Sequence, residues 1–271
     1  MPKHIVHAGL HKTGSSAVQL ALKKAGTSRG HTCFLPIEGI GQSDQEWRRR
    51  FDALASTSCG ILSDENLLGS PFDCYSLADR RIKALREAMG GRSVLIVVYI
   101  RPQPQWLQSL YLQGIQEGRY ESPDEFMEQM SGRPNLRWAN LADVVAKNFK
   151  TADLDIRAYN SRDAVSDFFS SQALALPSHI THSGPRINQS VAPIQGTILR
   201  ELIGDPDLDA AEKIRIRRVF QGILASGAIA GFSSFKKPHQ EAMRDLLVED
   251  FTNLETSGLM STRMLEIYGQ M

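Results

Sequence analysis

The chain begins with an apolar strand that runs directly into a glycine loop and then a helix, and this order constrains the fold more than any other feature. Ile5-Val6-His7-Ala8 has strand length and composition, Gly9 to Gly14 reads as a loop, and a helical pattern follows over 15–25, ended by Gly26. A second segment, Ser93-Val94-Leu95-Ile96-Val97-Val98-Tyr99-Ile100, is continuously β-branched and aliphatic. Such a run predicts a central strand of a parallel sheet, buried on both faces. A helix N-terminus leaves backbone N–H groups unpaired and carries partial positive charge, so the loop before residue 15 suits an oxyanion. Gly14 lets the backbone approach such an anion closely, and Lys12 adds a point charge.

The rest of the chain alternates in the same way. Strands are expected over 3–8, 31–35, 59–63, 93–100 and 154–159. Helices are expected around Trp47 and Phe51, over 77–89, from Pro104 through Tyr111, and over 136–149. Ser122-Pro123-Asp124-Glu125 has the N-cap, N1 proline and N3 carboxylate of a capping box, so another helix starts there. Beyond about residue 161 the pattern is mainly helical, and 177–190, with His179, His182, Gly184 and Pro185, reads as a connection or a substrate lid. The expected architecture is therefore α/β, a three-layer α/β/α arrangement on a central parallel sheet with a helical C-terminal part. A length of 271 residues with 42% hydrophobic content is enough to bury one full core, so 1–271 is expected to form a single domain.

Composition excludes several function classes. Net charge is +1 with Lys and Arg spread along the chain, which argues against a general nucleic-acid surface. Apolar runs stay well below the roughly 20 residues needed to cross a bilayer, and Met1-Pro2-Lys3-His4 enters a strand without a signal-like region. A cytoplasmic location is the expectation. Cys33, Cys59 and Cys74 are odd in number and lack CxxC spacing, so no disulfide framework and no metal site is expected. The Arg48-Arg49-Arg50 run reads as a solvated helix face, with contact to an acidic polymer as the alternative, and Trp47, Phe51, Trp106, Tyr111, Tyr120 and Trp138 read as packing residues, with the lining of an acceptor pocket as theirs.

The Gly9-to-Ser15 spacing approaches the GxxxxGK[ST] phosphate loop, but Ser15 stands where a nucleoside triphosphatase has lysine, and the lysine is two places ahead of Gly14. At the second strand, Arg101 stands at the carboxyl end, where parallel sheets bind ligands, and Ser109 follows eight residues later in the next helix. A guanidinium fork and a hydroxyl can jointly hold a phosphate. Gly9-Leu10-His11-Lys12-Thr13-Gly14 together with Arg101-Pro102-Gln103-Pro104-Gln105-Trp106-Leu107-Gln108-Ser109 resembles the two nucleotide motifs of sulfotransferases that use 3′-phosphoadenosine 5′-phosphosulfate (PAPS), most closely those of bacterial type. Ser63-Asp64-Glu65, the 154–169 segment and Arg186-Ile187-Asn188-Gln189-Ser190 follow in the order expected of that family. The chain departs from it in having Ser15 and Ser16 for paired threonines, and Pro102 for an aspartate.

The resemblance implies a P-loop-like fold and transfer of a sulfuryl group from PAPS to a hydroxyl or amine. The acceptor would be a small molecule or saccharide, a glycolipid among them. It assigns His11, Lys12, Thr13, Gly14, Ser15 and Ser16 to the 5′-phosphosulfate, and Arg101 and Ser109 to the 3′-phosphate. Lys12 would stabilise developing charge. Glu65 is the leading candidate base, since carbohydrate and protein-tyrosine sulfotransferases use a glutamate; a carboxylate capping a following helix is its competing role. His11 is the rival base, and His7 reads as structural. A kinase or other phosphotransferase on a P-loop fold is the alternative function. The central strand, however, ends in Arg101 rather than in the aspartate that would hold Mg²⁺.

Overall fold

In the computed structural model, the residues described are 4–26, 33–34, 43–119, 121–150, 153–159, 164–171, 200–201, 205, 207–209, 211–213 and 235–258. The 177–190 loop, the 186–190 segment and Tyr120 lie outside them. In order, the elements are β1 (His4–His7), α1 (Ser15–Gly26), β2 (Cys33–Phe34), α2 (Asp44–Ser56), β3 (Gly60–Ser63), α3 (Ala78–Met89) and β4 (Val94–Ile100). They continue through α4 (Gln103–Glu117), α5 (Pro123–Met130), α6 (Trp138–Asn148), β5 (Leu154–Ala158), α7 (Ala164–Ser171) and α8 (Lys237–Ser257).

The chain divides into two compact units. The first comprises 1–102, 132–185 and 248–271, and the second 103–131 and 186–247. The first unit holds a five-stranded sheet in the order β2-β3-β1-β4-β5, with every pairing parallel. His7 is level with Ser63 on one side and Val97 on the other. Alternation along the strands gives the sheet two apolar faces. Ile5, Ile61, Val97 and Tyr99 pack with Val18, Ala21 and Leu22 of α1 and with Phe168 and Phe169 of α7. On the opposite face Val98, Ile100, Leu154 and Ile156 meet Trp138, Leu141, Ala142 and Val145 of α6 around a small apolar void. Helices thus cover both faces, as a sheet apolar on both sides requires.

Local signals explain most of the helix ends. Ser43 caps α2 by accepting the Glu46 N–H at 3.3 Å while Glu46 reaches back to the Ser43 N–H, a capping box. In the second unit the box expected at Ser122 and Glu125 starts α5. The expected 136–149 helix is divided: a single 3₁₀ turn covers Pro134–Leu136 and α6 starts at Trp138. In that second unit Tyr111, Phe126 and Phe235 cluster with ring centroids 5.3–6.1 Å apart, and Lys236 pairs with Asp124 at 2.6 Å.

The arginine run on α2 is not the uniformly solvated face its composition suggests. Arg48 is exposed and pairs with Glu87, whereas Arg50 is buried and pairs with the buried Asp64 at 3.0 Å. Helical geometry accounts for this, because Trp47, Arg50, Phe51 and Leu54 share the face that α2 turns inward. Trp47, Phe51, Trp106, Tyr111 and Trp138 are all buried, as expected of packing residues. Cys59 and Cys74 are free thiols, and burial pushes Cys74 up to about 12, the nearby Asp73 adding to this and Arg133 opposing it. No described helix is long and apolar enough to cross a membrane, and no group of three metal-ligating side chains occurs among the described residues.

Candidate active site

β1 and β4 are neighbours, yet the chain leaves β1 toward β2 on one side of the sheet and reaches β5 from β4 on the other. Their carboxyl ends therefore flank a topological switch point, where open parallel sheets present a crevice for ligands. The Lys12 loop leaves the first of these ends and Arg101 the second.

The loop is tightly built. Its base continues the sheet, with the Ala8 N–H donating to Val97 O at 3.0 Å and the Asp64 N–H to His7 O at 3.2 Å. Three donors converge on Leu10 O: the Thr13 N–H at 3.3 Å, Thr13 Oγ1 at 2.5 Å and Ser15 Oγ at 3.1 Å. A hydroxyl has one proton to give, so those of Thr13 and Ser15 hold the loop closed in this arrangement. The Thr13 N–H is committed to Leu10 O as well, so a role toward an anion falls to the Ser15 backbone rather than to either hydroxyl. A Cβ on Gly9 would stand 2.3 Å from Ser15 Oγ and 2.8 Å from its Cβ, so only glycine leaves room. Gly14 has φ +77°, and a Cβ there would meet the Tyr159 ring at 2.8 Å. Lys12 is also left-handed at φ +65°, an uncommon conformation for a residue with a Cβ and one that recurs at ligand sites.

His11 is buried, and its N–H donates to the Tyr75 hydroxyl at 3.0 Å. Burial drives its imidazole down to about 4; a hydrogen bond with the Asn66 side chain opposes this and the Lys12 charge adds to it. The ring is neutral at pH 7, the form a base requires. His7 lies beneath the loop, against Tyr99 and Phe168, and shares a 2.8 Å hydrogen bond between Nδ1 and Ser63 Oγ. Burial first and Arg157 second bring it to about 3, so it is a neutral core residue.

Glu65 is half-buried two residues past β3, in a turn over 65–68 rather than at the start of a helix, so the capping role has no helix to serve. Because β3 pairs with β1 in parallel, this turn and the Lys12 loop emerge from the same edge of neighbouring strands. Asp64 beside it is buried and engaged by Arg50 and by the Asn66 N–H; burial raises its carboxyl above the usual range against both of these partners.

Arg101 is half-buried, with its carbonyl accepting from Trp138 Nε1 at 2.7 Å. Burial lowers its guanidinium, and Tyr159 opposes that. The Tyr159 N–H donates to Ile100 O at 2.7 Å, extending the β4–β5 pairing one residue past β5. Ser109, buried on α4, belongs to the second unit. Within the first unit, then, His11, Lys12, Gly14, Glu65 and Arg101 share one edge of the sheet.

Three residues that the sequence did not single out as site candidates join them: Tyr75, Tyr159 and Asn66. Tyr159 stands at a strand carboxyl end, the same signal that singled out Arg101. Tyr75 has no such signal, since it depends on consecutive left-handed residues, Cys74 at φ +45° and Tyr75 at φ +55°. Tyr75→Phe leaves the buried His11 N–H without its acceptor and is expected to destabilise the fold by about 1–3 kcal/mol, measured by denaturant unfolding.

No family model matches the chain, and no curated protein matches it.

Proposed function

We propose that this protein is a sulfotransferase, moving a sulfuryl group from PAPS to a hydroxyl or amine of a small-molecule or saccharide acceptor. One observation carries the reading: a lysine-bearing glycine loop and an arginine leave the carboxyl ends of adjacent parallel strands at the switch point. An α/β sheet covered by helices on both faces accords with a three-layer, P-loop-like domain. The left-handed Gly14 and Lys12 precede the N-terminus of α1, where unpaired amides and the helix dipole favour an anion such as a phosphosulfate.

PAPS, when bound, supplies the activated sulfuryl group. Lys12 and the amides at the start of α1 stabilise charge on the 5′ side, and Arg101 pairs with the 3′-phosphate. The sequence resemblance also assigns Ser109 to the 3′-phosphate. Glu65 takes the acceptor proton. Neutral His11 sits inside the loop with its backbone pinned by Tyr75, which suits it to shaping the cradle.

Calorimetric titration tests the reading. Adenosine 3′,5′-bisphosphate is expected to bind without divalent metal, and Arg101→Ala to weaken it roughly 10- to 100-fold, the equivalent of about 1.5–3 kcal/mol for a charged hydrogen bond. Preference for ATP with Mg²⁺, with no contribution from a 3′-phosphate, would instead identify a phosphotransferase.

A further inference from the structure

The turn that carries Glu65 is held by two buried arginines from different helices. Arg50 of α2 donates from Nη1 to Asp64 Oδ2 at 3.0 Å, and Asp64 Oδ1 accepts the Asn66 N–H at 2.7 Å. Arg81 of α3 donates from Nη1 to Asn66 O and, at 3.4 Å, to Leu67 O. Both guanidiniums lie over the buried Trp47 ring, at centroid distances of 4.4 Å for Arg50 and 5.0 Å for Arg81. Asp44 at the start of α2 faces Arg81 Nε at 3.9 Å. Residues 64 and 66 are thus both anchored, and Glu65 is the single link between them.

Stability alone gives no reason for this arrangement. Burying a guanidinium and a carboxylate carries a desolvation cost that their attraction barely repays, and apolar residues of similar volume serve a core as well or better. What the charges provide, and apolar residues cannot, is a directional hold on the carboxylate, amide and carbonyls of one turn.

We propose that Arg50, Asp64 and Arg81 are positioning residues that fix the 64–67 turn so that Glu65 faces the phosphate loop. This inference rests on the sulfotransferase reading above, in which Glu65 is the base. Asn66 extends the same chain of contacts into the loop through its hydrogen bond with the His11 side chain.

The test follows the Glu65 carboxyl by NMR in protein labelled with ¹³C at glutamate Cδ, its signal assigned by its loss in Glu65→Gln. In the unsubstituted protein, adenosine 3′,5′-bisphosphate places negative charge near Glu65 and is expected to raise its titration midpoint by about one pH unit. The pair replacement Arg50→Met with Asp64→Leu exchanges the ion pair for apolar side chains. It is expected to bind the bisphosphate with unchanged affinity while losing most of that shift. Arg81→Lys, which keeps the charge but loses the fork, is expected to lose part of it and serves if the pair replacement does not fold. An undiminished Glu65 shift in these variants overturns the positioning role, as does a bound bisphosphate that leaves Glu65 unmoved in the unsubstituted protein. Absence of bisphosphate binding there removes the sulfotransferase reading itself, and the inference with it.

Discussion

Lys12→Ala is expected to weaken adenosine 3′,5′-bisphosphate roughly 10- to 100-fold while leaving the fold intact. The lysine is half-buried in the loop and is held with φ at +65°, so its charge stands at a position the backbone has already fixed. Removing one charge-assisted contact to a phosphate costs about 1.5–3 kcal/mol, which sets the fold-change. The effect should be specific to the 5′ end. Adenosine 3′-monophosphate, lacking the 5′-phosphate, should bind the variant and the parent equally, whereas Arg101→Ala should weaken both ligands. This crossed pattern, read by calorimetry, separates the two ends of the nucleotide. Equal losses for both ligands in Lys12→Ala would remove the lysine from the 5′ site. Alanine also relieves no left-handed strain, since it too carries a Cβ, so a stability change would not account for the result.

Acid is expected to unfold the protein through two histidines before its carboxylates dominate. His7 and His11 have folded-state values near 3 and near 4, against 6.5 for a free imidazole, both set first by burial. Below pH 6.5 the unfolded chain binds protons that the folded chain refuses. Stability is therefore full above pH 6.5 and falls as pH drops toward the folded-state values. Each ring contributes a slope of about 1.4 kcal/mol per pH unit, so the two together remove about 4–5 kcal/mol between pH 6.5 and 4.5. That loss is comparable with the whole stability of an ordinary domain, about 5–15 kcal/mol. Urea unfolding at stepped pH checks this, with His11→Asn expected to halve the slope over that window. An unchanged slope would show that His11 is already protonated or exposed in the folded state.

The parts of the site legible in the sequence are those encoded by near neighbours. Strand composition over Ile5–Val6 and Val94–Ile100, the glycine loop before α1, the Ser122 capping box and the arginine at a strand carboxyl end each depend on residues a few positions apart. Period-2 and period-3.6 patterns and helix caps are local physics, so they can be read without the fold. The α2 capping box at Ser43 and Glu46 was equally local, but it lay in a stretch of glycines and polar residues that masked the signal.

What the tertiary structure alone decided lies between residues far apart in the chain. The His11 N–H meets the Tyr75 hydroxyl across 64 positions and His7 meets Ser63 across 56. Arg50, read as one of three solvated arginines, turns inward to Asp64 because helical geometry puts it on the face shared with Trp47 and Phe51. The order β2-β3-β1-β4-β5 brings the Lys12 loop, the Glu65 turn and Arg101 to one edge of the sheet. The sequence by itself determined that strand, loop and helix would alternate, because backbone hydrogen bonding and apolar periodicity are set within a turn or two. Which side chains converge on that loop was decided by strand order and helix packing, because burial and charge pairing act through space and ignore distance along the chain.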